Sequence, residues 1–220
     1  MVKKFIPDWT EKAPEPYSYR SIFKWGNPET FKHPNPKLYQ ELKQIFKLDD
    51  SYFQHKTNEG RQQVQYKKPV NLTQNQIKAL AEIVGYDNIS TNEYDRLKFA
   101  TGKTLEEALK LRKGIIERVA DCVVHPRNVE DVQKIVAYCN KHKIPIYVYG
   151  GGSSVNFGLR PAKGGLTLVL STHMNKILNV NETNQTVTVQ AGILGPALEE
   201  ALNNAQKLFG TKYNYTCGHF

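Results

Sequence analysis

The sequence holds 220 residues, 40% of them hydrophobic, which is enough to build the core of one large domain or two small ones. Three cysteines without a C-x-x-C pair exclude a disulfide framework and a cysteine zinc site, and no stretch approaches the roughly 18 apolar residues of a membrane span. The formal charge of +9 is evenly spread, with 13 Lys and Arg against 8 Asp and Glu in residues 1–72 and 17 against 13 in residues 73–220. Such weak positivity favours a small phosphate-bearing ligand over a nucleic-acid track.

The composition of the first 72 residues predicts an extended N-terminal lead-in, a segment that wraps around the larger, folded part of the protein. They are rich in Pro, Lys, Gln and aromatic residues. One short helix is predicted at residues 36–46, where Leu38, Leu42, Ile45 and Phe46 fall on one face.

Residues 73–118 predict a helical segment with two capped helices. Thr73 is placed to cap the first helix, and Gly85 to end it. In the second, Thr104 can accept a hydrogen bond from the amide of Glu107, whose side chain can reach back to the amide of the threonine.

From residue 119 onward the pattern alternates between strands and helices. Strands are predicted at residues 120–125 and 144–149, and between them a helix at 129–142 capped by Asn128. These three elements predict a βαβ unit.

Three further strands and a helix follow. We predict strands at residues 166–170, 177–180 and 186–190, and the turn residues between the last two favour a hairpin. A helix is predicted over residues 195–205, with a proline in its first turn.

Three consecutive glycines and two serines follow the second strand of the βαβ unit, at residues 150–154. Backbone amides without Cβ atoms can form a nest for phosphate oxygens, to which the serine hydroxyls can add donors. A triplet of glycines can also serve as a tight turn alone, but the strand before it and the two serines after it favour the phosphate-binding interpretation. A Walker A loop is excluded because no lysine follows the glycines, and a Rossmann loop because residues 156–161, NFGLRP, cannot form the required helix.

The stretch from 119 to 220 resembles the FAD-binding domain of vanillyl-alcohol-oxidase-type flavoproteins. The residues that carry the resemblance are VHPRNVEDVQKIV at 124–136, IPI at 144–146, GGGSSVNFG at 150–158, LVLS at 168–171, MNKI at 174–177, VTVQAG at 187–192 and LEEAL at 198–202. Within that family the closest resemblance is to alkyldihydroxyacetonephosphate synthases and their bacterial relatives. FKWG at 23–26, DR at 95–96, ATGKTL at 100–105 and LRKG at 111–114 point to that branch.

The resemblance implies an α+β fold with two α/β lobes, a small βαβ lobe and a larger, mainly antiparallel lobe, with FAD between them. It also implies which residues bind the two phosphates of FAD through amides and hydroxyls: Val148, Tyr149, Gly150, Gly151, Gly152, Ser153 and Ser154. Some relatives attach the flavin covalently to a histidine of this loop. Glycine and serine stand here instead, so we expect FAD to be bound non-covalently.

The resemblance further implies that the family's second flavin-binding stretch begins near residues 215–220, YTCGHF. We therefore expect the chain to stop before the FAD-binding domain is complete, as an N-terminal part of a longer enzyme. His219 is a candidate cofactor contact, and no catalytic residue or metal ligand is predicted. Arg96, Lys103 and Arg112 are candidates for an anion site, although solvated helix faces are the simpler interpretation.

The implied enzyme exchanges the acyl group of acyl-dihydroxyacetone phosphate for a fatty alcohol, so the expected partner is a phosphate-bearing lipid substrate rather than nucleic acid. A peripheral membrane contact and a homodimer stay open. Two alternatives remain: a glycolate or D-lactate dehydrogenase of the same fold, and a non-catalytic anion-binding module. We expect the cytoplasm or an organellar lumen as compartment, because no signal peptide is visible.

Overall fold

Two units of structure make up the described part of the protein. The computed structural model describes residues 14–23, 36–55 and 60–217. The smaller unit comprises Met1–Gln65 and Lys103–Ile116, and the larger comprises Tyr66–Gly102 and Glu117–Phe220. None of the helices in the described ranges combines the length and the apolar character that a bilayer crossing requires.

The smaller unit is helical in its described ranges. Its helices are α1 (Tyr19–Phe23), α2 (Pro36–Ile45), α3 (Asp50–Gln54) and α6 (Leu105–Arg112). The helix predicted at residues 36–46 is confirmed. The predicted capping box is confirmed as well, because the Thr104 hydroxyl accepts from the amide of Glu107 at 3.1 Å and the Glu107 carboxylate accepts from the amide of Thr104 at 3.1 Å. Helix α6 packs against α1.

A four-stranded sheet organises the larger unit. Its strands are β1 (Ile89–Ser90), β2 (Cys122–Val124), β3 (Ile146–Tyr149) and β4 (Leu166–Val169), in the order β1-β2-β4-β3. Strand β1 is antiparallel to β2, whereas β2, β4 and β3 are parallel. The predicted strands and helix of the βαβ unit are present, but β4 lies between β2 and β3. Every residue of β4 is buried, which suits the central position, whereas Val148 of β3 is exposed at the edge.

Helices α4 (Gln74–Val84) and α7 (Val129–His142) cover one face of this sheet. The predicted caps are confirmed: Thr73 forms a capping box with Gln76, Gly85 ends α4, and the Asn128 side chain accepts from the amide of Asp131. The buried side chains of this core share an apolar character and come from both helices, from strands β2 and β4, and from the residue two positions before β3: Leu80, Val84, Cys122, Val124, Ile135, Cys139, Ile144, Leu166 and Leu168.

The remaining elements of the larger unit include an antiparallel hairpin. They are α5 (Glu93–Lys98), β5 (Ile177–Asn181), β6 (Thr186–Val189), α8 (Gly195–Asn203) and α9 (Ala205–Phe209). Strands β5 and β6 pair with each other as predicted, and α8 begins with the predicted proline in its first turn. Parallel and antiparallel strands together with covering helices confirm the predicted α+β class.

Two cysteines belong to the core of the larger unit. Burial raises the pKa of the Cys122 thiol to about 12 and that of Cys139 to about 11. Cys217 is partly exposed, and its thiol donates a hydrogen bond of 2.8 Å to the Glu199 carboxylate, which raises its pKa.

We therefore expect alkylation to distinguish the three thiols, because the thiolate is the reactive species. In the folded protein at about pH 8, iodoacetamide should modify Cys217 slowly and leave Cys122 and Cys139 unmodified. All three should react in urea. Mass spectrometry of the peptides measures this, and modification of Cys122 in the folded protein at the rate of Cys217 would contradict the buried thiols.

Candidate functional site

The glycine-rich loop lies at the edge of the sheet where its parallel strands end. Residues 150–158 follow β3, and residues 170–174 follow β4. His125 follows β2 at the same edge, and its ring nitrogen Nδ1 forms a hydrogen bond of 2.7 Å with Thr172 of the neighbouring segment. Ligands of open α/β sheets characteristically bind outside the carboxyl ends of the strands. The edge therefore has the topology of a binding site.

Of the three glycines of this loop, Gly152 is required by its conformation and surroundings. Gly152 has a φ of 70°, and a methyl carbon built on it would overlap the phenol oxygen of Tyr149. A methyl carbon on Gly151 would lie 3.3 Å from Cδ2 of Leu194, and one on Gly150 would lie 3.5 Å from the carbonyl oxygen of Ala191. The loop at Gly150 and Gly151 therefore lies close to Ala191 and Leu194, which precede α8.

The side chain of Tyr149 lies between Gly152 of this loop and the ring of Phe99. Its ring meets the ring of Phe99 edge to face at 5.0 Å, and Phe99 meets the His125 ring in the same way at 5.5 Å. Burial raises the pKa of Tyr149 to about 12 and lowers the pKa of His125 from its ordinary value. Near neutral pH the phenol is therefore protonated and can donate a hydrogen bond.

The two serines differ in their hydrogen bonding. The Ser154 hydroxyl donates to Oδ1 of Asn156 at 3.0 Å and accepts from the amide of Gly158 at 3.1 Å. The hydroxyl proton of Ser154 is thus used within the loop. Ser154 can donate it to a phosphate only after the hydrogen bond to Asn156 is broken. Ser153 is exposed. Its hydroxyl makes no hydrogen bond to any other described residue, which leaves it available to a ligand.

Helix α8 begins beside the glycine loop. Its N-cap residue, Leu194, offers no side-chain hydrogen bond to the first amides, and the same leucine lies against Gly151. The free amides and the dipole at a helix N-terminus favour negative charge. Gly192 permits the segment before α8 to lie close to the end of β4, because a methyl carbon on it would overlap the carbonyl oxygen of Leu170.

The loop has the chemical features that a diphosphate site requires. It combines glycine backbone without Cβ atoms, the free hydroxyl of Ser153 and the adjoining start of α8. Backbone amides in such an arrangement form the concave nests that hold phosphate oxygens. Of the residues predicted to contact FAD, Val148 to Ser154 lie in or directly before this loop, and His219 lies outside the described residues.

Two of the three candidate anion-site residues, Arg96 and Lys103, bind backbone carbonyls, and the interpretation of Arg96 as part of a solvated helix face is wrong. Arg96 is only 3% exposed, and its guanidinium donates to the carbonyl oxygens of Ala120, Lys68 and Pro69 at 2.8, 3.0 and 3.1 Å. Lys103 donates its ammonium hydrogen bond to the carbonyl oxygen of Ile22. Both cations are therefore engaged with backbone. Across the described ranges, no group of three or more His, Cys, Asp and Glu side chains is placed to hold a metal ion.

Sequence analysis missed three parts of this site. Phe99 and Leu194 depend on contacts across the fold, and the overlap between Tyr149 and Gly152 depends on the backbone conformation of the loop. The one available signal was the dipeptide Gly195-Pro196, which marks a helix start and therefore a set of free amides.

Comparison with known proteins matches the part of the chain that contains this loop. The sequence profile of the FAD binding domain matches residues 120–218. The chain is 27% identical over 144 residues to an alkyldihydroxyacetonephosphate synthase of Trypanosoma brucei brucei, covering 64% of the chain and 22% of that protein. It is 31% identical over 115 residues to the glycolate oxidase subunit GlcD of Bacillus subtilis strain 168, covering 52% of the chain and 22% of that protein.

A solved structure of an alkyldihydroxyacetonephosphate synthase has the same fold in the aligned region. It superimposes with a TM-score of 0.58 at 25% identity, covering 61% of this chain and 25% of that one. The chain thus spans about a quarter or less of the length of these relatives.

Proposed function

Residues 120–218 are an FAD-binding domain, and we propose that the flavoenzyme containing it resembles an alkyldihydroxyacetonephosphate synthase. Such an enzyme exchanges the acyl group of acyl-dihydroxyacetone phosphate for a fatty alcohol. The observation that supports this most is the superposition on a solved synthase, together with the 144-residue alignment to the trypanosome synthase. A phosphate-bearing lipid is accordingly the proposed substrate class.

In this proposal residues 148–154 hold the diphosphate of FAD. Its oxygens accept hydrogen bonds from the amides of Gly150, Gly151 and Gly152 and from the hydroxyl of Ser153. The side chain of Tyr149, which lies against Gly152, holds the loop in its bent conformation. His219 is proposed as a contact further along the cofactor. Bound FAD supplies the flavin ring on which the chemistry takes place, while this chain supplies orientation and charge.

We expect FAD to be bound without a covalent bond. Residues 150–158 contain no histidine, cysteine or tyrosine that could attach to the flavin. Precipitation of the yellow protein with acid should release all FAD into the supernatant and leave a colourless pellet. A pellet that remains yellow after acid and detergent washing would contradict this expectation.

Assays with a synthase substrate and with 2-hydroxy acids distinguish the synthase from a dehydrogenase. The full-length protein should exchange labelled hexadecanol into palmitoyl-dihydroxyacetone phosphate, and its flavin should stay oxidised when D-lactate or glycolate is added. Rapid bleaching of the flavin by either acid would overturn the synthase proposal.

A 2-hydroxy acid dehydrogenase is the second candidate. The identity of 31% to the glycolate oxidase subunit supports it, although over a shorter stretch than the synthase alignment. Bleaching by lactate or glycolate, followed by reoxidation with an external electron acceptor, is the result that would establish this activity.

A further inference from the structure

The glycine loop carries no formal positive charge. Residues 144–158, IPIYVYGGGSSVNFG, contain neither lysine, arginine nor histidine. A dinucleotide diphosphate carries two negative charges near neutral pH, whereas backbone amides and a helix N-terminus offer only partial charges. A cation from outside this stretch would therefore add to the attraction for the ligand.

Arg160 follows the loop by two residues and is held in a defined place. Its guanidinium carbon lies 4.6 Å from the centroid of the Phe157 ring. Stacking on an aromatic ring covers the face of a guanidinium and leaves the N–H groups at its rim free to bind. The side chain is exposed, and among the described residues none accepts a hydrogen bond from it.

Phe157, on whose ring Arg160 lies, has an unusual backbone conformation. Phe157 has a φ of 59°, a region that bulky residues rarely adopt. The turn is maintained because the amide of the next residue, Gly158, donates to Oγ of Ser154 at 3.1 Å and to Oδ1 of Asn156 at 3.2 Å. Such strain persists where the surrounding structure imposes it and is often found at ligand sites. The same hydrogen bonds link the position of Phe157 to that of Ser154.

The other candidate arginines of the larger unit are committed elsewhere. Arg96 donates to three backbone carbonyls, and Arg127 pairs with Asp131 at 2.8 Å. Arg118 lines a cavity near Asp121, which lies before β2 and therefore at the opposite edge of the sheet. Arg160 is thus the arginine that the loop itself positions.

We propose that Arg160, stacked on Phe157, is the cation that pairs with the diphosphate held by the glycine loop. The planar guanidinium suits two phosphate oxygens at once, and its prior packing on the ring reduces the entropy lost on binding. This inference rests on the proposed function of the loop, and it assigns the residue that supplies charge to that site.

The test compares ligands with and without phosphate in the full-length apoprotein. Arg160→Gln should raise the dissociation constant for FAD by about tenfold to a hundredfold, as expected for loss of a charge-assisted pair. The dissociation constant for riboflavin, which has no phosphate, should be unchanged. The salt dependence of FAD binding should become shallower in this variant, because one ion pair is lost. Arg118→Gln is the matched control and should bind FAD as the unaltered protein does.

Two further variants distinguish charge from packing. Arg160→Lys keeps the charge without the planar group, and Phe157→Leu keeps the arginine without its platform, so each should weaken FAD binding less than Arg160→Gln does. The urea midpoint of each variant shows whether it is still folded. If Arg160→Gln is unfolded, the FAD dissociation constant of Arg160→Lys decides the test. FAD affinity equal to that of the unaltered protein in both Arg160 variants would overturn the inference. If instead the glycine loop does not hold the diphosphate, the Gly152→Ala substitution would also leave the FAD dissociation constant unchanged. That result distinguishes failure of the proposed function from failure of this inference.

Discussion

Replacing Gly152 by alanine is expected to lower FAD affinity about a hundredfold and to destabilise the protein. The φ of 70° costs an alanine about 1–2 kcal/mol, and its methyl carbon would overlap the Tyr149 phenol. Tyr149 cannot move freely, because it lies at the end of β3 against Phe99. The loop must therefore shift, and losing two hydrogen bonds to charged phosphate at about 1.5 kcal/mol each gives the hundredfold effect.

Gly210→Ala is the matched control for this substitution. Gly210 has a φ of 68°, almost the same backbone conformation, but a methyl carbon there meets nothing within 4 Å. The control should lose about 1 kcal/mol of stability and keep its FAD affinity. Urea unfolding gives the free energies of unfolding, and quenching of flavin fluorescence gives the dissociation constants. Equal FAD affinity in the two variants would show that the loop does not hold the diphosphate.

Local chemistry made much of this fold predictable. The caps at Thr73, Thr104 and Asn128 were identified because a cap and its partner lie within three residues of each other. The hairpin between β5 and β6 was predicted for a related reason, since its turn residues lie between the strands that pair. The glycine loop was found because three glycines after a strand are themselves a local pattern.

The order of strands was not predictable in the same way. The βαβ pattern places β2 and β3 close together, but it does not state which later strand enters between them. Strand β4 takes that position because it buries side chains on both faces, and its apolar partners come from helices distant in sequence. The support of the glycine loop by Phe99 is equally non-local, because fifty residues separate it from Tyr149.

Arg96 shows how a functional interpretation of a cation can fail. On a helix with Glu93 and Asp95 before it, an arginine suggests a surface residue. The structure buries it instead, because its guanidinium satisfies three backbone carbonyls at the entrance to β2 and in the segment before α4. Backbone acceptors that are removed from water must find donors, and no sequence motif records which side chain provides them.

Arg96→Met is accordingly expected to destabilise the larger unit by about 3–5 kcal/mol, which is large for a single substitution. Methionine can fill part of the volume, but the buried carbonyl oxygen of Ala120 and the partly buried ones of Lys68 and Pro69 would lose their donors. Such a loss costs about 1–3 kcal/mol for a fully buried group and less for a partly buried one. Arg96→Lys should lie between, because one ammonium group cannot reach three carbonyls in different directions.

Arg118→Met provides the matched control for Arg96→Met. Both arginines line the same cavity of about 220 Å³, but Arg118 is exposed. Its replacement should change the free energy of unfolding by no more than about 0.5 kcal/mol. Urea unfolding of the three variants at one pH makes the comparison. Because the cost arises from orphaned carbonyls rather than from lost charge, raising the salt concentration should leave the difference between Arg96→Met and the unaltered protein in place, and a difference that disappears in salt would contradict this account.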